Sequence, residues 1–118
     1  MEYDFERLVV YQEAMYLSES VYRLTKNFPK DEVFGITSQI RRASLSVVLN
    51  IAEGKGRYHT KIFIQFLYQA RGSLYEVIAL INMANRLAYI DDKIKSELLI
   101  KINSIAIKLS NLINSMKG

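Results

Sequence analysis

Residues 28–57 read FPKDEVFGITSQIRRASLSVVLNIAEGKGR, and the spacing inside this stretch decides the fold. Ile36, Ile40, Ala43, Val47 and Ile51 recur at intervals of three to four, which predicts a helix over 36–54. Pro29 keeps Phe28 out of the α region, so the Asn27-Phe28-Pro29 step ends whatever helix precedes it. Lys30 to Gly35 then form a short connection. Gly54 and Gly56 read as the glycine stop at the far end.

Working outward, Val10, Ala14, Leu17, Val21, Leu24 and Phe28 form one stripe and predict a helix over 5–27. Downstream, Phe63, Phe66, Leu67, Ala70, Leu74, Val77, Ile78, Ile81 and Leu87 predict a third helix over 60–89. Asp91-Asp92 caps a fourth over 92–116, carried by Ile94, Leu98, Ile102, Ile105, Leu109, Leu112 and Met116. No window alternates with period two. The expected fold is all-α: one domain, residues 1–118, an antiparallel up-down-up-down four-helix bundle with short connections.

Composition narrows the function classes. A chain of 118 residues suits one domain. With no cysteine it forms no disulfide, thiolate metal site or cysteine nucleophile. No apolar run approaches the ~18 residues of a membrane span, and the acidic start MEYDFE is the reverse of a signal peptide. The expectation is a soluble, cytoplasmic protein without a membrane partner. The formal charge of +4 is uneven: residues 35–90 carry seven basic side chains against Glu53 and Glu76 alone. Residues 1–34 carry four basic and seven acidic ones.

Catalysis finds little support. His59 is the only histidine and lies in a connection, where it reads as a loop or helix-start residue. Without a Glu-x-x-His pair or any cysteine, no metal site and no cofactor is expected. The carboxylate pairs Asp31-Glu32 and Asp91-Asp92 are explained by a turn and a cap. Gly54-Lys55-Gly56-Arg57 lacks the spacing and the preceding strand of a phosphate loop. No small-molecule substrate is evident.

Charge and apolar excess carry more information. Lys55, Arg57 and Lys61 crowd the connection ahead of a helix N-terminus, where a phosphate can be held. Arg71 lies between Tyr68 and Tyr75 on successive turns, a spacing that serves base stacking or packing. Arg42 belongs to a polar strip with Gln39 and Glu53. On the wheel of the second helix the apolar arc reaches roughly 240°, where a core stripe needs about 100°. Arg41, Leu45 and Leu49 lie in the excess, and Tyr68 and Tyr75 lie off the main stripe of the third helix. These five are the expected oligomer interface. An arginine set among leucines also calls for a carboxylate or carbonyl partner. Gly72-Ser73 weakens the third helix by ~1 kcal/mol, so a close helix contact or a kink is expected there.

The combination FP-x-x-E-x-FG with NIAEG-x-GR, followed by Phe63, Phe66-Leu67 and Ala70-Arg71-Gly72-Ser73-Leu74-Tyr75-Glu76, resembles a bacterial four-helix-bundle family. Its members are encoded in intervening sequences of 23S ribosomal RNA genes and are often labelled S23 ribosomal proteins. Leu8-Val9-Val10-Tyr11-Gln12-Glu13-Ala14 is similar to the family's start, with Tyr11 where tryptophan is usual. His59 stands where a capping serine is common, and Ile62 replaces a glutamate. The resemblance implies a ring-shaped homo-oligomer, a pentamer, similar to the basic accessory proteins of diversity-generating retroelements. Together these readings predict a non-enzymatic homo-oligomer that binds RNA, or DNA, through phosphate contacts at Lys55, Arg57, Lys61, Arg71 and Arg42. The alternative is a protein-interaction scaffold that docks partners on its acidic first helix.

Overall fold

The computed structural model describes residues 1–117. Its helices are α1 Val9–Thr25, α2 Ile36–Lys55, α3 Thr60–Arg86 and α4 Asp92–Met116, with 3-10 turns at Asp4–Arg7 and Lys30–Glu32. Among the described residues there is no strand. Expected and observed spans agree within a residue for α2 and α4. The helix expected from residue 5 starts later, because Leu8 is extended (φ −68°, ψ 126°) and separates the first 3-10 turn from α1.

The apolar stripes meet in one core. Leu17 and Val21 of α1, Ile40, Val47 and Ile51 of α2, Leu67, Leu74 and Ile81 of α3, and Ile102, Ile105 and Leu109 of α4 are almost wholly buried. Each helix touches the next in chain order, and α4 returns to α1. The backbones of the diagonal pairs α1–α3 and α2–α4 stay more than 8 Å apart. Cross-links run in opposite order along neighbours: Ser18 faces Ser44 (3.3 Å) while Thr25 Oγ1 accepts from Arg41 Nε (2.7 Å). Likewise Arg71 reaches Ser110 (3.3 Å) while Asn85 reaches Asp92 (3.0 Å).

Two glycines behave differently from expectation. Gly54 does not stop α2, which continues through it to Lys55, and no glycine among the described residues has a positive φ. It is buried where α2 meets α3: a Cβ at this position would lie 2.5 Å from Phe66 Cβ and 3.0 Å from Phe63 Cδ1. Gly72, expected at a close contact, has nothing within 4 Å of its would-be Cβ. The close approach is therefore at Gly54.

The left-handed residue at a helix end is Ala88 (φ 61°). Tyr89 N–H donates to the Ala84 carbonyl (2.9 Å) and Ala88 N–H to that of Asn85 (3.0 Å), a Schellman turn. This turn ends α3 at Arg86, short of the expected 89. An alanine side chain in that region costs roughly 1 kcal/mol. Ala88→Gly therefore raises the unfolding free energy by about 1 kcal/mol and the melting temperature by about 4 °C, measured by thermal unfolding at fixed protein concentration. An unchanged or lower value overturns the assignment.

Polar clamps complete the frame. Asp91 caps α4 by accepting from Ile94 N–H (2.8 Å). Glu32 accepts from Tyr89 Oη (2.7 Å) and Ile36 N–H (3.3 Å), tying the α1–α2 connection to the turn after α3. That hydrogen bond to Glu32 holds the Tyr89 phenol above its ordinary pKa. Between α1 and α4, Glu13 accepts from Ser104 Oγ (2.6 Å) and pairs with Lys108 Nζ (2.7 Å). Burial pushes the Glu13 carboxyl up, but Lys108 and Ser104 together outweigh it and hold the pKa below the usual carboxylate value.

Candidate nucleic-acid interface

The expected phosphate-binding residues divide into three groups. Lys55 ends α2, Arg57 sits in the connection and Lys61 opens α3, so these lie at one end of the molecule. The Lys55 ammonium rides 5.7 Å from the Phe63 ring centroid and the Arg57 guanidinium 5.4 Å from that of Phe66. Both long side chains thus cover aromatic surface while their heads stay exposed. Arg57 also pairs with Glu53 at 3.0 Å. An exposed i,i+4 pair of this kind is worth about 0.5 kcal/mol or less, which a phosphate can displace. His59 is the N-cap of α3 and gives it no side-chain hydrogen bond.

Arg71 forms the second group. It follows Lys61 by ten residues, about 15 Å along α3. Half-buried, it donates to Ser110 Oγ (3.3 Å), with its guanidinium 4.9 Å from the Tyr68 ring centroid. Lys117 Nζ lies 5.4 Å from the same ring. Sequence reasoning missed Lys117: it follows Arg71 by 46 positions, and only the register between α3 and α4 brings them to one tyrosine. Its place just past the last helical turn was the available signal. Arg42 is apart from both groups, in a groove between α2 and α3 with Gln39, Ser46, Ser73 and Glu76.

The expected interface residues also separate. Arg41 finds its carbonyl inside its own chain, donating to Tyr22 O (3.2 Å) and stacking 4.9 Å from the Tyr22 ring. Leu45 and Leu49 are 37% and 55% exposed, and Leu45 borders a groove with Met15 and Tyr22 of α1. Tyr68 and Tyr75 stand exposed on α3. Ile100 and Ile107, seven residues apart on α4, are 72% and 52% exposed and were not singled out by the core stripe. The α2 and α4 patches occupy diagonal helices, at opposite corners of the molecule.

Among the described residues, no three metal-ligating side chains converge, and no helix is long and apolar enough to cross a membrane. What remains is a small all-α protein whose surface carries exposed cations, tyrosines and aliphatic side chains among its carboxylates and amides. Residues 6–111 match the model of the 23S rRNA-intervening sequence protein family, and the chain belongs to that family. Its fold is similar to the crystal structure of a protein of unknown function from the S23 ribosomal protein family of Bacteroides thetaiotaomicron VPI-5482. That likeness has a TM-score of 0.80 at 21% identity and covers 89% of this chain and 98% of the other. At that identity the likeness concerns the fold alone. The sequence matches no curated protein.

Proposed function

We propose that the protein is a non-enzymatic, basic homo-oligomer that binds RNA through its phosphates. The observation that carries this reading is a set of cations at the α2–α3 connection and at the α3–α4 flank, where Lys55, Lys61 and Lys117 are exposed and Arg71 is half-buried. Lys55, Lys61, Arg71 and Lys117 form no ion pair among the described residues. Repeating such a set around an assembly concentrates positive potential, which attracts a polyanion at moderate charge per chain.

The assembly is a ring of antiparallel up-down-up-down bundles, a pentamer by family resemblance. Unlike apolar patches at opposite corners suit head-to-tail contacts, which close into rings rather than into two-fold dimers. Leu45 and Leu49 of one copy, with Arg41 at their edge, pack toward Ile100 and Ile107 of the next. The scaffold alternative docks partners on α1, where Glu13 is half-buried and engaged by Lys108 while Glu19 holds only an exposed, displaceable pair with Arg23.

The test is the Lys55→Glu/Arg57→Glu/Lys61→Glu variant, titrated with structured RNA over a range of salt. Its affinity at low salt falls at least about tenfold, and the slope of log K against log salt becomes shallower by about 2 to 3. Unchanged affinity and slope in an oligomer of unaltered mass overturn the proposal and favour the scaffold.

A further inference from the structure

We infer that the α3 surface from Tyr68 to Tyr75 is a seat for unpaired nucleotides, with the two phenol rings as stacking platforms and Arg71 and Lys117 as its cations. This rests on the RNA-binding reading and specifies which form of RNA is held.

Three observations converge. Tyr68 and Tyr75 are seven residues apart on one face of α3, separated by about 10.5 Å along the axis. A strand whose bases are splayed apart crosses that distance in a few nucleotides, so each ring can take its own base. Neither ring is needed inside, where Leu67, Ala70, Leu74 and Val77 are fully buried. The rings are 37% and 55% exposed.

Second, the floor between the rings is bare. Gly72 lies one turn from each tyrosine, is exposed, and has nothing within 4 Å of its would-be Cβ. A mid-helix glycine weakens a helix, and here no contact within the chain requires it. The room it leaves admits a flat group against the backbone between two aromatic walls.

Third, two cations gather at the first ring. Arg71, which also donates to Ser110 Oγ, and Lys117 both lie over Tyr68. A base stacks on Tyr68 by displacing one of them, and the displaced cation meets the base's phosphate. A second copy of this chain is a poorer occupant. The apolar groove beside Leu45 is walled by Arg23 and Lys26 against the single carboxylate of Glu19, so docking it here would add net positive charge to a flank that already carries Arg71 and Lys117.

Duplex RNA keeps its bases stacked internally and offers the rings nothing. The probes are an unstructured single-stranded RNA and a blunt duplex of equal length, titrated against the full-length protein. Tyr68→Leu/Tyr75→Leu weakens single-strand binding at least about tenfold, with duplex affinity, salt slope and particle mass unchanged. Gly72→Leu, which fills the floor and alters no charge, weakens it in the same direction. If both variants hold single strands as the parent does, the inference is overturned while the phosphate reading stands. A drop in particle mass would make this flank a subunit contact and also overturn it. If the parent binds neither probe at any salt, both readings fall.

Discussion

Gly54→Ala lowers the stability of the protein by about 2 kcal/mol, and Gly72→Ala raises it by about 1 kcal/mol. Both glycines lie within helices, so alanine offers each the same intrinsic gain in helix propensity, ~1 kcal/mol. Their surroundings set the sign. A Cβ at position 54 meets Phe66 Cβ at 2.5 Å, Phe63 Cδ1 at 3.0 Å and Phe66 Cγ at 3.2 Å. Phe66 Cβ is bonded to the α3 backbone and cannot rotate away, so α2 and α3 must part where they are joined. Overpacking of this kind costs up to about 3 kcal/mol, which exceeds the propensity gain. At Gly72 nothing opposes the gain. Thermal or urea unfolding at one protein concentration separates the two, with melting temperature falling about 8 °C in one and rising about 4 °C in the other. A Gly54→Ala protein as stable as the parent would mean that the helices do not approach so closely.

The second large effect is on assembly. On the proposed assembly, Leu45→Glu/Leu49→Glu leaves monomers of 13.6 kDa, read by light scattering, with helical circular dichroism retained. Both leucines are more than a third exposed in the single chain, so their replacement disturbs the core little. Covering the exposed part of each leucine contributes about 1 kcal/mol, and a glutamate left there unpaired adds a larger desolvation cost of several kcal/mol. Ile100→Glu/Ile107→Glu, at the opposite corner, gives the same loss of mass if the contacts are head to tail. Val33→Glu, on the α1–α2 connection, leaves the mass unchanged. A parent-sized particle from the Leu45/Leu49 variant would place the subunit contact elsewhere.

Much of the fold was legible from local patterns. The stripes around Leu17, Val47, Leu74 and Ile105 predicted the four helices, because burial follows a period of 3.6 residues whatever the partner is. Asp91 announced the start of α4, since a cap bonds within three residues of itself. Ala88 gave no such signal. Its left-handed conformation carries no glycine, so the end of α3 was placed three residues too late.

The candidate site was legible only in part. Lys55, Arg57 and Lys61 could be grouped because they are neighbours in the chain. Arg42 was grouped with them by charge, yet it faces Ser73 and Glu76 across another groove. Arg41, expected at an interface with a carboxylate or carbonyl partner, donates to the Tyr22 carbonyl of α1 in its own chain, a pairing that spacing within α2 does not encode.

The sequence by itself determined the helices, the capped start of α4, the buried stripe of each helix and the basic middle of the chain, all properties of residues a few positions apart. Only the tertiary structure decided which glycine is a close contact and which is bare surface, and that Lys117 shares a tyrosine with Arg71. These depend on the register of one helix against another. That register is set by core side chains interlocking across the whole interface, and no spacing within a single helix encodes it.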